Sequence, residues 1–225
     1  GELLELLNNV STILCEWFSK TDSLSPLPRN IDFNFKLPEE SGCNVNDLLV
    51  EIKSLIYSSY NPSHPCSLAN LDPPPLIFSI VGELIAAGLN NNLLAEEISP
   101  SITFLENEIC RWFSEQIGFN ESSGGIAASG GTLSNLNALV TARSTLGLEN
   151  DSNAAFIISE EAHSSFTKCA RILGLKSENV IKVPTDNLGQ MQVSSLIHQI
   201  KLNSRKGKKI FAVIATLGTT IRGAL

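Results

Sequence analysis

The spacing of hydrophobic and polar positions changes near residue 118. Before it, apolar residues recur every three or four positions, which predicts helices over residues 3–18, 46–57 and 76–88, the last ending at Gly88. A fourth predicted helix starts at Ser99-Pro100 and is closed by Gly118. Asn46 is predicted to cap the second helix.

After residue 118, short apolar runs alternate with helical patterns. Such alternation predicts an α/β fold with a largely parallel sheet that helices cover on both faces. The predicted strands are 125–128, 154–159, 180–183 and 210–216, and the helices between them are 133–146, 164–173 and 193–203. The sequence therefore predicts a helical N-terminal segment over 1–75 and an α/β domain over 76–225.

The turn Ser129-Gly130-Gly131-Thr132 joins the first predicted strand to a helix. Glycines let the backbone approach a ligand, and the first helical turn offers unpaired N–H groups and a positive dipole end, which suits a phosphate. The turn lacks both the P-loop lysine and the dinucleotide glycine pattern. A plain tight connection, with Thr132 as the helix N-cap, is the alternative interpretation.

Ligands of open α/β sheets bind beyond the carboxyl ends of the strands. His163 follows the second predicted strand and Thr216 ends the fourth, so we expect both near the glycine turn. The alternatives are a histidine that only packs at a helix start and a buried β-branched strand residue.

Composition and charge narrow the class of protein. Of the 225 residues, 43% are apolar and 17% charged, which is typical of a packed globular chain. The net charge of −7 argues against a nucleic-acid partner. Five scattered cysteines without C-x-x-C and three distant histidines predict neither disulfides nor a metal site, and favour the cytoplasm. We expect no membrane segment, since no apolar run has the necessary length.

Three motifs stand at these strand ends: Ser129–Leu139 followed by Ala142-Arg143, Ala162–Ser165, and Ala215–Thr220 followed by Gly223-Ala224. They resemble the phosphate-binding, ring-stacking and ring-edge motifs of the group II pyridoxal-phosphate-dependent amino acid decarboxylases. Upstream, His64-Pro65 resembles the family's substrate-loop motif. The resemblance extends from about residue 60 to the end of the chain.

This resemblance implies a fold type I, transferase-like large domain with pyridoxal phosphate as cofactor. Gly131 and Thr132 would bind its phosphate, His163 would stack on the pyridine ring as the catalytic residue, and Thr216 would lie near the ring edge. His64 and Asn70 are the substrate candidates, although Asn70 also suits a simple turn. The residues after Pro65 depart from the aromatic-containing loops of several relatives, which leaves the amino acid open.

The implied activity is that of a carboxy-lyase of amino acid and carboxylic acid metabolism, which converts an L-amino acid to its amine and CO2. The family's Schiff-base lysine and ring-nitrogen aspartate lie further along than Leu225. We therefore expect this chain to be an N-terminal half, inactive alone, whose partners are the C-terminal part of the enzyme and a second copy in a homodimer. The alternatives are another pyridoxal-phosphate lyase or aminotransferase of this fold, and a non-catalytic fragment or split subunit that acts in dimer assembly.

Overall fold

The computed structural model describes residues 1–27, 40–68 and 71–225. They form two compact units, Gly1–Asn91 and Asn92–Leu225. The domain limits of 1–75 and 76–225 stay a prediction. In the part of the chain that is described, no helix has both the length and the apolar character that crossing a bilayer requires.

The first unit contains helices α1 (Glu2–Ser19), α2 (Val45–Tyr57) and α3 (Ile77–Leu89). The amphipathic helix α1 packs against α2 and buries Trp17.

Two helix-end predictions in this unit were wrong. Asn44 rather than Asn46 caps α2, because Asn44 has the extended backbone of an N-cap and its side chain accepts the Asn46 N–H. The third helix continues past Gly88 to Leu89, since Asn90 adopts the left-handed conformation that ends it.

The second unit contains four α-helices, α4 (Pro100–Gln116), α5 (Gly131–Thr145), α6 (Ser165–Ile172) and α7 (Val193–Arg205). Gly118 closes α4 with a positive φ of 80°, as predicted. Helix α5 begins two residues earlier than expected, with Gly130 at its N-cap position. Thr132 therefore lies inside the first turn, and its interpretation as the N-cap was wrong.

The sheet consists of β1 (Ala154–Ser159), β2 (Val180–Val183) and β3 (Lys209–Ile214). Both neighbours pair with β1 in parallel in the order β2-β1-β3, which confirms the parallel prediction. The predicted strand at 125–128 was wrong. Within the described residues that segment joins no ladder, and the Ala127 N–H donates to the Glu106 carboxylate instead (2.8 Å).

Helices cover the sheet on both faces, as predicted. Every residue of β1 is buried. Ala154, Phe156 and Ile158 pack with α5 and α6 on one face of the sheet, while Ile157 packs with α7 on the other face. A register shift opposite Ala155 and Phe156 brings Phe211 of β3 edge-on to Phe156, with ring centroids 5.8 Å apart. This rigid core fixes the ends of the strands where the candidate site lies.

Candidate functional site

The candidate site residues of the second unit lie at the carboxyl edge of the sheet. His163 lies in the loop after β1, and Thr216 lies two residues beyond the end of β3. Helix α5 leads through a short loop into β1, so its first turn points back toward this same edge. The sequence thus predicted correctly which edge of the sheet collects these residues.

The glycine turn has the backbone geometry of an anion-binding helix start. Gly130 has φ 150° and ψ 166°, a conformation that is essentially restricted to glycine. In the hydrogen-bond network of the described residues, the N–H groups of Gly131, Thr132 and Leu133 donate to no other residue. A Cβ added at Gly131 would meet no atom within 4 Å. The first turn of α5 therefore presents open space and free donors.

Two contacts hold this turn in place. The Glu106 carboxylate on α4 accepts the Ala127 N–H just before the turn. The buried Cys169 thiol on α6 faces the Thr132 carbonyl, with 3.6 Å between Sγ and the oxygen. Burial raises the pKa of the Cys169 thiol, so it stays protonated and able to donate.

His163 is fixed through one side of its ring. Its Nδ1 lies 2.9 Å from the Ser165 hydroxyl and 3.2 Å from the Ser165 backbone nitrogen, whose N–H donates to it. Asn135 on α5 donates its side-chain N–H to the same hydroxyl (3.0 Å). A chain of hydrogen bonds thereby links the second turn of α5 and the first turn of α6 to the histidine.

Sequence reasoning missed the role of Asn135. The residue lies in the motif Ser129–Leu139, but it stands 30 positions from Ser165. Helical periodicity does not say which polar residues of two separate helices meet, so no signal within this one sequence identifies the contact.

A cavity of about 440 Å³ opens beside His163; we refer to it as the His163 cavity. Glu160 and Lys182 also line it. The Thr185 N–H and hydroxyl both donate to Glu160 and hold the pKa of its carboxyl below the ordinary value. This contact ties the loop after β1 to the end of β2.

Thr216 faces a second cavity of about 300 Å³, the Thr216 cavity, which Ser159 and Met191 also line. Its Oγ1 is buried and has no hydrogen-bond partner among the described residues. Thr216 and His163 thus line two separate cavities that flank the end of β1, rather than a single one.

The substrate candidates belong to the first unit. His64 is half-buried, and its Nδ1 accepts the Cys66 N–H at 3.0 Å, which leaves Nε2 for a ligand. Asn70 lies outside the described residues. Among the residues that are described, no three or more His, Cys, Asp or Glu side chains come close enough together to hold a metal ion.

Comparison with known proteins finds amino acid decarboxylases that are similar to this chain in sequence and in structure. Mouse CSAD, solved by crystallography, superposes with a TM-score of 0.89 and 26% identity over 99% of this chain and 49% of its own. An aromatic-L-amino-acid decarboxylase of Bacillus atrophaeus is 32% identical over 89% of this chain and 43% of its own length. An acidic amino acid decarboxylase of Xenopus tropicalis is 32% identical over 100% of this chain and 44% of its own.

These similarities confirm the predicted fold class, and the chain spans a little under half the length of these relatives. The model of the pyridoxal-dependent decarboxylase conserved domain matches residues 30–225. The predicted cofactor, pyridoxal phosphate, is confirmed at the level of the family. The chain belongs to the pyridoxal-dependent decarboxylases.

Proposed function

We propose that this chain carries the phosphate- and ring-binding part of an enzyme that decarboxylates an L-amino acid to its amine and CO2. The observation that carries the proposal is the first turn of α5, whose free N–H groups face open space at the same sheet edge as His163 and Thr216. Gly131 and Thr132 are the proposed phosphate-binding residues.

The glycine turn fits a phosphate monoester. Three backbone N–H groups and the positive end of α5 favour a dianion, and the missing Cβ at Gly131 leaves room for its oxygens. The Thr132 side chain is exposed, so its hydroxyl is available as a further donor.

The Thr216 side chain fits the polar edge of a heteroaromatic ring. A buried hydroxyl without a partner costs free energy in the unliganded protein, and a ring oxygen or nitrogen in the Thr216 cavity would satisfy it. His163 is the proposed catalytic residue and would stack on the ring face. Because His163 and Thr216 line separate cavities, the two roles require that the ring lie across the end of β1 that separates them.

When bound, pyridoxal phosphate supplies an electron sink for the electron pair left by the breaking carbon–carbon bond. The residues of this chain contribute binding and orientation. The helix start would hold the phosphate, and the imidazole of His163 would restrict the tilt of the ring, so that the reacting bond would keep one orientation.

We propose that the lysine that anchors the cofactor is none of those in the second unit. Lys208 and Lys209 bind Glu178 and Asp151 at the amino edge of the sheet, away from the site. Lys182 lines the His163 cavity and is the lysine that an experiment must test. This proposal also includes inactivity of the 225 residues alone and assembly with the C-terminal part of the enzyme.

The remaining parts of the proposal concern the whole protein. We propose a cytoplasmic homodimer in which His64 and Asn70 contact the amino acid substrate. Of the two ring nitrogens of His64, only Nδ1 has a hydrogen-bond partner among the described residues, which supports this role because Nε2 remains for a substrate carboxylate.

Release of CO2 from a panel of acidic, aromatic and diamino acids, measured with the protein that carries this chain, tests the activity. Borohydride reduction of the cofactor-loaded protein, followed by peptide mapping, locates the anchoring lysine. Pyridoxal-phosphate-dependent CO2 release with the adduct outside residues 1–225 is expected. Amino-group transfer without CO2 would favour the aminotransferase alternative, absence of cofactor binding would favour the assembly subunit, and an adduct on Lys182 would overturn the assignment of the lysine.

A further inference from the structure

The hydrogen bonds around His163 have only one consistent direction. A backbone N–H can only donate, so the Ser165 N–H requires Nδ1 of His163 to be an acceptor without a proton. The Ser165 hydroxyl, 2.9 Å from the same nitrogen, must then donate its own proton to Nδ1. Its oxygen lone pairs remain free to accept the Asn135 side-chain N–H at 3.0 Å.

We infer that Asn135 and Ser165 are positioning residues that hold His163 in the tautomer protonated on Nε2. The inference rests on the proposed function for its catalytic consequence, because His163 is the proposed ring-stacking residue. Its structural part depends only on the three contacts above.

Burial makes this arrangement stiff. Ser165 is fully buried at the first position of α6, and Asn135 is half-buried on α5. Nδ1 of His163 also satisfies the first N–H of α6, for which the Ser164 side chain provides no cap. The other tautomer would place an N–H against this donor and against the positive end of the helix.

The chemical consequence concerns the exposed side of the ring. With Nδ1 occupied by two donors, the imidazole keeps one plane, and its single N–H, on Nε2, remains available to an acceptor oxygen of the bound ligand. A histidine free to exchange tautomers and rotate would offer this donor for only part of the time.

Histidine tautomers can be read directly from nitrogen chemical shifts in protein labelled on its histidines, with the His163 signal assigned through His163→Gln. The unliganded wild-type protein is expected to show His163 protonated on Nε2. Ser165→Ala removes the hydroxyl, and Asn135→Ala removes the donor behind it. The backbone N–H of residue 165 remains in both variants and still favours an unprotonated Nδ1, so a partial increase in the fraction protonated on Nδ1 is expected. Asn135 is only half-buried, so Asn135→Ala carries the test if Ser165→Ala does not fold.

The kinetic arm uses the complete cofactor-loaded protein. Loss of the hydroxyl is expected to lower kcat/KM about fivefold to tenfold, the effect of about one neutral hydrogen bond. Asn135 acts through Ser165, so the double variant is expected to be no slower than Ser165→Ala. Thr141→Ala removes an exposed hydroxyl from the same helix and serves as the matched control, with unchanged tautomer and rate.

A wild-type tautomer in both Ser165→Ala and Asn135→Ala overturns the inference, as does a His163 protonated on Nδ1 in the wild-type protein. A protein with the expected tautomers that releases no CO2 from any amino acid supports the positioning role and overturns only the proposed function.

Discussion

Replacing Gly131 with alanine is expected to weaken pyridoxal phosphate binding without harming the unliganded fold. Gly131 is the first residue of α5, and a Cβ there meets no atom within 4 Å. At a position whose backbone suits alanine, this substitution stabilises a protein by about 0.4–1 kcal/mol because it restricts the unfolded chain. The free energy of unfolding of the unliganded protein should therefore stay constant or rise slightly.

The loss of affinity follows from the direction of the new methyl group. Side chains of a helix point toward its N-terminus, so the Cβ enters the space through which a phosphate reaches the N–H groups of Gly131 and Thr132. Losing one hydrogen bond to a charged group costs about 1.5–3 kcal/mol. We therefore expect the Kd for pyridoxal phosphate to rise about tenfold to hundredfold.

Two further glycines make the comparison sharper. Gly130→Ala forces alanine into the φ of 150° and is expected to cost about 1–3 kcal/mol of stability as well as cofactor affinity. Gly147 follows the C-terminal end of α5 with φ 64° and open space around it. Gly147→Ala is expected to lose about 1–2 kcal/mol of stability and to keep the wild-type Kd.

Urea unfolding followed by circular dichroism measures the stability of each unliganded variant, and fluorescence titration measures its Kd for pyridoxal phosphate. A wild-type Kd for Gly131→Ala would refute the reasoning about the phosphate. An equal loss of affinity in Gly147→Ala would show that general destabilisation, rather than the helix start, controls binding.

Three other substitutions test separate contacts. Thr216→Val removes the unpaired hydroxyl, so it is expected to stabilise the unliganded protein by about 1 kcal/mol in urea unfolding. It is also expected to raise the Kd for the cofactor about fivefold in the fluorescence titration. Arg143→Met removes the guanidinium that donates to the Leu148 and Leu173 carbonyls, each at 2.8 Å. Leu148 keeps the Asp151 N–H and Leu173 loses its donor, so we expect a loss of about 2–3 kcal/mol in urea unfolding. The carboxyl pKa of Glu160 lies below its ordinary value of 4.5 in the folded protein. The ionised carboxylate therefore stabilises the fold at pH values above 4.5, and this contribution is lost as the pH falls through the lowered pKa. The difference in unfolding free energy between wild type and Glu160→Gln should accordingly be present at neutral pH and disappear in acid.

Each of these expectations has its own contradicting result. Tighter cofactor binding by Thr216→Val would contradict the proposed contact between the Thr216 hydroxyl and the ring edge. Arg143→Met should keep the wild-type Kd, since the guanidinium serves the C-terminal end of α5, and a large change in Kd would assign it to the site. A stability difference in Glu160→Gln that grows below pH 4.5 would have the wrong sign for a carboxylate held ionised by its partners.

Much of the second unit could be predicted because its sequence patterns agree with its packing. The β1 and β2 strands have the predicted limits. The apolar run of β1 is buried on both faces of the sheet, and Ile181 and Val183 of β2 are buried on the face that α7 covers. The predicted strand over residues 125–128 was wrong, because an apolar segment forms a strand only where a neighbouring strand is available to pair with it. The Ala127 N–H donates to the Glu106 carboxylate on α4, and the periodicity of apolar positions cannot indicate such a partner.

The candidate site was predictable at the level of its sheet edge, and less so in its internal contacts. Small residues and His163 after parallel strands are sufficient to indicate the carboxyl edge. The unpaired Oγ1 of Thr216 and the contact of Asn135 with Ser165 depend on how separate elements pack, so only the structure reveals them.

A crystal structure of the cofactor-loaded protein tests the central claim most directly. We expect the phosphate oxygens within about 2.7–3.2 Å of the Gly131 and Thr132 nitrogens, with the His163 ring against the pyridine face. A phosphate bound elsewhere, with no ligand atom at the first turn of α5, would contradict the assignment.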